Sequence, residues 1–224
     1  MNLTFESIRT VILQVIAIFL VIVLHEVAHG YVAYRLGDPT AKQQGRLTLN
    51  PLAHIDPVGT ILIPIALIVL GLPAFGWAKP VPVNPRHFRN PLRGMMIVAL
   101  AGPATNFILA GVGIGIVRLL VNLVPMPLLM DATTGALLVQ SLLLFMVMFA
   151  VYNVVIGVYN LIPVPPLDGS RILLYFLPPR AKQVWIGLER YGLILILLVF
   201  LLVGRISPLG TALNSLIQWM LTPA

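Results

Sequence analysis

Leu24-His25-Glu26-Val27-Ala28-His29-Gly30 is the stretch that decides the reading of this chain. Two histidines four apart, with a glutamate after the first, form the H-E-x-x-H pattern. On a helix the imidazoles at i and i+4 lie one turn apart on the same face, so one ion can take a nitrogen from each. Glu26 is turned about 100° from His25, near enough to reach a metal-bound water without being a ligand. The setting is unusual. Residues 10–24 carry no charge, and apolar residues continue through Val27-Ala28 and Val32-Ala33. The motif therefore sits inside what reads as a membrane-spanning helix, where each ionisable group costs about 2.5–3.5 kcal/mol on insertion scales and marks function.

Composition agrees with a membrane setting. Hydrophobic residues make up 59% of the 224 and charged residues 9%, against about 45–50% and 25% in soluble domains. This implies an integral membrane protein with room for four to six helices and no separate soluble domain. The net charge of +7, from 14 Lys and Arg against 7 Asp and Glu, falls in loops between apolar runs. It reads as topology, not nucleic-acid binding. Cysteine is absent, so any metal must use His, Asp or Glu. The first apolar run reads as a retained helix, not a signal peptide.

The expected fold is all-α: a bundle of about five to six transmembrane helices in a single domain, residues 1–224, with a short re-entrant or β-hairpin segment after the first helix. The catalytic core covers about 15–175 and the C-terminal helices about 190–222. Helix A runs over 6–36 and stops at Gly37-Asp38-Pro39. Polar, partly alternating residues 40–50 suggest a β-hairpin. Helix B, 59–72, is short for a span and equally suits a re-entrant segment. The proline-rich stretch 76–85 reads as an extended edge. Helix C covers 94–124, with Gly111-x-x-x-Gly115 as a close-packing motif. Residues 126–135 form a loop, helix D covers 136–162 and helix E 192–203, and 209–221 read as a sixth, shorter helix or one lying at the interface. Basic residues follow A, precede C and lie between D and E. By the positive-inside rule these ends face the cytoplasm if B is re-entrant, and a fully spanning B is the alternative.

His25 and His29 from one element and Asp168 from another make a three-ligand zinc set with a fourth position for water. Zinc lowers the pKa of that water to about 7, so Glu26 can take its proton and return it to the leaving amine. His25-Glu26-Val27-Ala28-His29, with Asn160-Leu161-Ile162-Pro163-Val164-Pro165-Pro166-Leu167-Asp168-Gly169, resembles the site-2 protease family of intramembrane zinc metalloproteases. Ala101-Gly102-Pro103-Ala104-Thr105-Asn106 resembles that family's G-P-x-x-N helix. The resemblance covers about residues 15–175. It implies one zinc per chain on His25, His29 and Asp168, with Glu26 as general base. It also implies that Asn160 helps hold the substrate carbonyl or backbone, with Asn106 nearby as a second substrate-binding residue. The implied partners are a transmembrane protein substrate and the lipid bilayer, without nucleic acid; the implied place is a multi-pass position in a cell membrane, of the prokaryotic cytoplasmic type, with the site toward the cytoplasm. Against larger members the chain reads as a minimal form, without a helix before the H-E-x-x-H helix and without PDZ or CBS modules.

Plainer readings compete at several positions. After a Pro-Pro break Asp168 could serve as a helix N-cap, with Arg171 as partner. Asn153, Gly157 and Asn160 form a polar stripe on helix D. For Asn153 the favoured role is an interhelical hydrogen bond, worth about 0.6 kcal/mol. His54 and Asp56 read as a capped turn, His87 as an interfacial residue. Tyr31, Tyr34, Trp77 and Trp185 fit aromatic anchors at the interface better than a substrate pocket. Residues 46–50 and 77–84 could pair with an unwound substrate by strand addition. The rival function is a membrane metal-binding or metal-transport protein using the same ligands without proteolysis; a base beside the ligand pair argues for hydrolysis.

Overall fold

Long uninterrupted apolar sequence produces the longest helices. The computed structural model describes residues 4–69, 76–125, 133–203 and 207–223, and every regular element among them is helical. Helix α1, Phe5–Arg35, starts on a capping box: Ser7 N–H donates to Thr4 Oγ1 at 3.2 Å and Thr4 N–H donates to Ser7 Oγ at 2.9 Å. It ends before Gly37, whose φ of 104° suits a residue without Cβ. Its 31 residues reach roughly 46 Å at 1.5 Å each, beyond the ~30 Å of a bilayer core. After the short α2, Thr40–Gln43, and α3, Ile63–Val69, come α4, Pro91–Leu123, and α5, Thr134–Asn160. Helices α1, α4 and α5 are each long and apolar enough to cross a membrane, so the chain is a multi-pass membrane protein. Four shorter helices complete the described residues: α6, Asp168–Phe176; α7, Pro179–Leu188; α8, Gly192–Val203; and α9, Ser207–Leu221.

Helix α4 is the hub, packed on α1, α5, α6 and α9. Val21, Val117, Met146, Phe149, Ala150 and Met220 bury a core between these helices. Close approach depends on Gly113, where a Cβ would stand 3.1 Å from the Ala150 Cβ. The sequence pattern pointed instead to Gly111 and Gly115. Both face open space, because the seam of α4 passes through Gly102, Asn106, Ala110, Gly113 and Val117, all buried.

The β-hairpin expected over residues 40–50 is not formed; no strand occurs among the described residues. Local helix-type bonds win. Gln43 N–H donates to the Pro39 carbonyl at 2.9 Å and Arg46 N–H to the Ala41 carbonyl at 2.9 Å, which buries Ala41 completely. Helix B appears as a π-helical stretch, Pro57–Leu62, continuing into α3. Residues 57–69 span roughly 20 Å at 1.5 Å each, short of a bilayer core. Residues 70–72 of that segment, and residues 126–132 of the expected C–D loop, lie outside the described residues.

One acidic side chain ties the end of α1 to the approach of α4. Asp38 is fully buried. Its Oδ1 accepts from Thr40 N–H at 3.1 Å, from the Thr40 hydroxyl at 2.5 Å and from His87 Nδ1 at 2.7 Å. Its Oδ2 accepts from Asn84 N–H at 2.6 Å. Burial pushes the carboxyl pKa up, but the bonds from Thr40, Asn84 and His87 outweigh it and hold the group below its ordinary value. The remaining loop residues are tied more simply: Asp56 caps the π-helical stretch through Val58 N–H and Gly59 N–H, and buried His54 binds the Thr48 carbonyl through Nε2.

Asp38→Asn is expected to destabilise the fold by about 1–3 kcal/mol, through a lost acceptor and an unsatisfied buried group. The ionised Asp38 contributes stability that is complete above the unfolded carboxyl pKa of about 3.9 and lost as pH falls through the lower folded value. Thermal unfolding of parent and variant in detergent, scanned over acid pH, reads both effects: their difference should shrink as the medium is acidified.

Candidate metal centre

Three donor atoms converge where α1, α4 and α6 meet. His25 and His29 project from the same face of α1, both buried. Asp168 is the first residue of α6 and makes no cap bond; the N-cap is Leu167, without a side-chain bond. The N-cap role is therefore not the one adopted. His25 Nε2 and His29 Nε2 lie 3.0 Å apart, and Asp168 Oδ2 lies 3.2 Å from each.

Proton bookkeeping at the two rings explains why this triangle suits a cation. His29 Nδ1 lies 2.7 Å from the Val98 carbonyl, which can only accept, so Nδ1 carries the hydrogen. His25 Nδ1 lies 2.5 Å from Asn106 Oδ1. Asn106 Nδ2 donates to Asn153 Oδ1 at 2.8 Å, and Asn153 Nδ2 donates to the Phe149 carbonyl at 2.8 Å. With hydrogens on both Nδ1 atoms, each imidazole in its neutral form presents an Nε2 lone pair to the other and to a carboxylate. Asp168 Oδ2 is accordingly buried without a donor. Three acceptors held together without a proton are costly unless a cation joins them. Tetrahedral zinc with bonds of about 2.0–2.2 Å needs donors roughly 3.3–3.6 Å apart, a few tenths of an ångström wider than the spacings found. His25, His29 and Asp168 form a cluster able to hold one ion.

These three residues line a cavity of about 570 Å³ together with Glu26, Asn160, Trp77, Val81 and Arg171. Asn160 Nδ2 donates to the Ile156 carbonyl one turn back, at 3.0 Å. Asn106 is fully buried between His25 and Asn153 and does not reach the cavity. Trp77 lines the cavity and covers Gly59, so it is not an interfacial anchor alone; Trp185 donates to the Ser170 carbonyl at 3.2 Å. Tyr31 and Tyr34 are exposed beside Arg35 and Lys42, as interfacial residues would be.

An extended strap, residues 76–84, closes one side of the site. Trp77 N–H donates to the Gly59 carbonyl and Lys79 N–H to the His54 carbonyl, at 3.1 and 2.8 Å. Arg46 Nη2 holds the Lys79 carbonyl at 2.7 Å. Val81 N–H donates to Glu26 Oε2 at 2.7 Å. Pro80 and Pro82 have no N–H to offer. A substrate strand added here would find most of the donors already engaged within the chain.

Gly102 was part of the G-P-x-x-N resemblance, but its contact with the histidines was not read from it. A Cβ there would stand 2.4 Å from His29 Nε2 and 2.5 Å from His25 Cε1. The available signal was a glycine before a proline inside an apolar helix, which locates a close approach but not its partner. The interhelical bond expected of Asn153 is present, with Asn106 as its partner, whereas the bond from Val81 to Glu26 was illegible because it joins segments distant in sequence.

The peptidase family M50 model matches residues 13–203, a span holding His25, Glu26, His29, Asn106, Asn160 and Asp168. YwhC of Bacillus subtilis (strain 168), provisionally named a zinc metalloprotease, is 42% identical over 197 residues, covering 88% of this chain and 81% of its own. Rip2 of Mycobacterium tuberculosis (strain H37Rv), named in the same provisional way, is 30% identical over 192 residues, covering 85% of this chain and 68% of its own. Rip2 of Mycolicibacterium smegmatis is 29% identical over 179 residues, covering 80% of this chain and 62% of its own. No solved structure matches. The chain belongs to peptidase family M50, the site-2 protease family, and is a zinc metalloprotease of that family.

Gly102→Ala drives a methyl group between the two imidazoles. Zinc affinity measured by chelator competition should fall by on the order of tenfold or more, with helix content by circular dichroism unchanged.

Proposed function

We propose that this protein is an intramembrane endopeptidase that hydrolyses peptide bonds within or near the transmembrane helices of other membrane proteins. The observation that carries it is the convergence of two histidine Nε2 atoms and a carboxylate on the wall of a cavity that also holds Glu26. In this reading one zinc per chain is held by His25, His29 and Asp168. When bound, it supplies Lewis acidity toward a water molecule and a peptide carbonyl.

The chain's own residues do the rest. Glu26 accepts a proton from the attacking water as the oxygen bonds to the scissile carbonyl carbon. It delivers that proton to the amide nitrogen as the C–N bond breaks. Val81 N–H, bonded to Oε2, steadies the carboxylate so that Oε1 handles the proton. Asn160, with Nδ2 engaged on its own helix, offers Oδ1 to a substrate backbone N–H. A helical substrate hides its peptide bonds in its own hydrogen bonds, so it must unwind locally before attack.

Topology fits this use. In the proposed arrangement α1, α4 and α5 cross the membrane, the two short C-terminal helices complete a bundle of five to six membrane helices, and residues 57–69 enter without crossing. The basic residues after α1 and before α4 then face the cytoplasm, which puts His25 and His29 within the cytoplasmic half of the bilayer. The chain acts as one catalytic domain.

Glu26→Gln keeps the shape and removes the base. Cleavage of single-span substrates in detergent should fall by a factor on the order of 10²–10⁴, while zinc bound per chain stays at the parent level. Cleavage persisting in the variant contradicts the assignment.

A further inference from the structure

We infer that Asn153 is a positioning residue for the metal site, acting through Asn106 to fix which nitrogen of His25 faces the ion. The inference rests on the zinc reading of His25, His29 and Asp168 and extends it to a helix that supplies no ligand. Neither asparagine touches the cavity, and both are fully buried among apolar neighbours.

The polarity of the chain of bonds is set at its far end. The Phe149 carbonyl can only accept, so the Asn153 atom 2.8 Å away is its Nδ2 donor. Asn153 must therefore turn Oδ1 toward Asn106, which answers with Nδ2–H at 2.8 Å. Asn106 is left with Oδ1 facing His25 Nδ1 at 2.5 Å. A carbonyl oxygen there takes the Nδ1 hydrogen and leaves Nε2 as a lone pair. An Asn106 amide turned the other way would present N–H groups to Nδ1, favour the Nε2–H form and put a proton where the ion belongs. One helix carbonyl on α5 thus specifies the tautomer of a ligand on α1, by way of α4.

Packing holds the relay in register. Gly157, one turn beyond Asn153 on α5, lets Asn106 approach: a Cβ on Gly157 would stand 3.3 Å from the Asn106 Cβ and 3.1 Å from Phe107 Cζ. His29 uses a separate support, the Val98 carbonyl on α4 itself, which needs no relay. The two histidines therefore differ: one is oriented by a backbone group, the other by a side-chain chain that can be cut.

Outer partners of ligand histidines typically affect metal affinity by about 10–100-fold. Asn153→Leu, of the same branched shape though larger, and without polar atoms, removes the constraint on the Asn106 amide. Zinc affinity of the purified full chain, read by competition with a chelator of known strength, should fall within that range. Adding Asn106→Asp should restore it, because a carboxylate can only accept from Nδ1 and no longer needs Asn153. Asn153→Ala, paired with the same Asn106→Asp rescue, carries the same comparison should the leucine variant fail to fold. Unchanged zinc affinity in the Asn153 variants overturns the proposal, and so does a loss that Asn106→Asp does not repair, which marks Asn153 as packing only. A parent chain that takes up no zinc overturns the metal reading itself and the relay with it.

Discussion

Two imidazole nitrogens and a carboxylate oxygen held in a triangle of 3.0 to 3.2 Å are the constraint on which this structure depends. Left alone, the arrangement would be repulsive and desolvated. It exists because each imidazole is fixed from behind, by Val98 and by Asn106, and because α6 begins where it must to bring Asp168 in. Much else follows from that arrangement. Gly102 is needed because α4 passes so close to the rings that a methyl group would strike them. Gly169, right after Asp168, is needed because a Cβ there would stand 2.3 Å from the Leu161 carbonyl oxygen. The ligand set, its supports and the small residues beside it are one packing solution.

The surroundings of the site are tied by polar bonds at the ends of helices, where water or headgroups would otherwise compete. Asp38 binds the turn after α1 to the segment before α4. Arg46, His54 and Gly59 hold the strap that carries Val81 to Glu26. These ties give the irregular backbone beside the cavity partners for the N–H groups of Trp77, Lys79, Val81 and Asn84. Between the long helices α4 and α5 the polar link is the inward pair Asn106 and Asn153.

Legibility in the sequence followed the length scale of the signal. Helices α1, α4 and α5 were readable because each is an apolar run longer than a bilayer core. His25, Glu26 and His29 were readable because helical spacing alone sets them on one turn. Asp168 needed the later motif, since by itself it reads equally as an N-cap. What could not be read depended on contacts between distant segments. Alternation over residues 40–50 suggested a hairpin, but the Asp38–Thr40 bonds turned the chain into a helical turn instead. Gly111 and Gly115 had the right spacing and the wrong face, which only the rotation of α4 against α5 decides. Trp77 looked like an interfacial ring, and the strap carries it to the cavity wall.

The central claim is that two imidazole nitrogens and one carboxylate oxygen form the zinc site. X-ray absorption at the zinc edge of the purified protein tests it most directly. The account predicts nitrogen and oxygen neighbours at about 2.0–2.2 Å, with the outer-shell scattering of two imidazoles and an inner shell that loses an oxygen or becomes disordered in Asp168→Ala. A zinc shell with one imidazole or none, or one indifferent to the loss of Asp168, would contradict it.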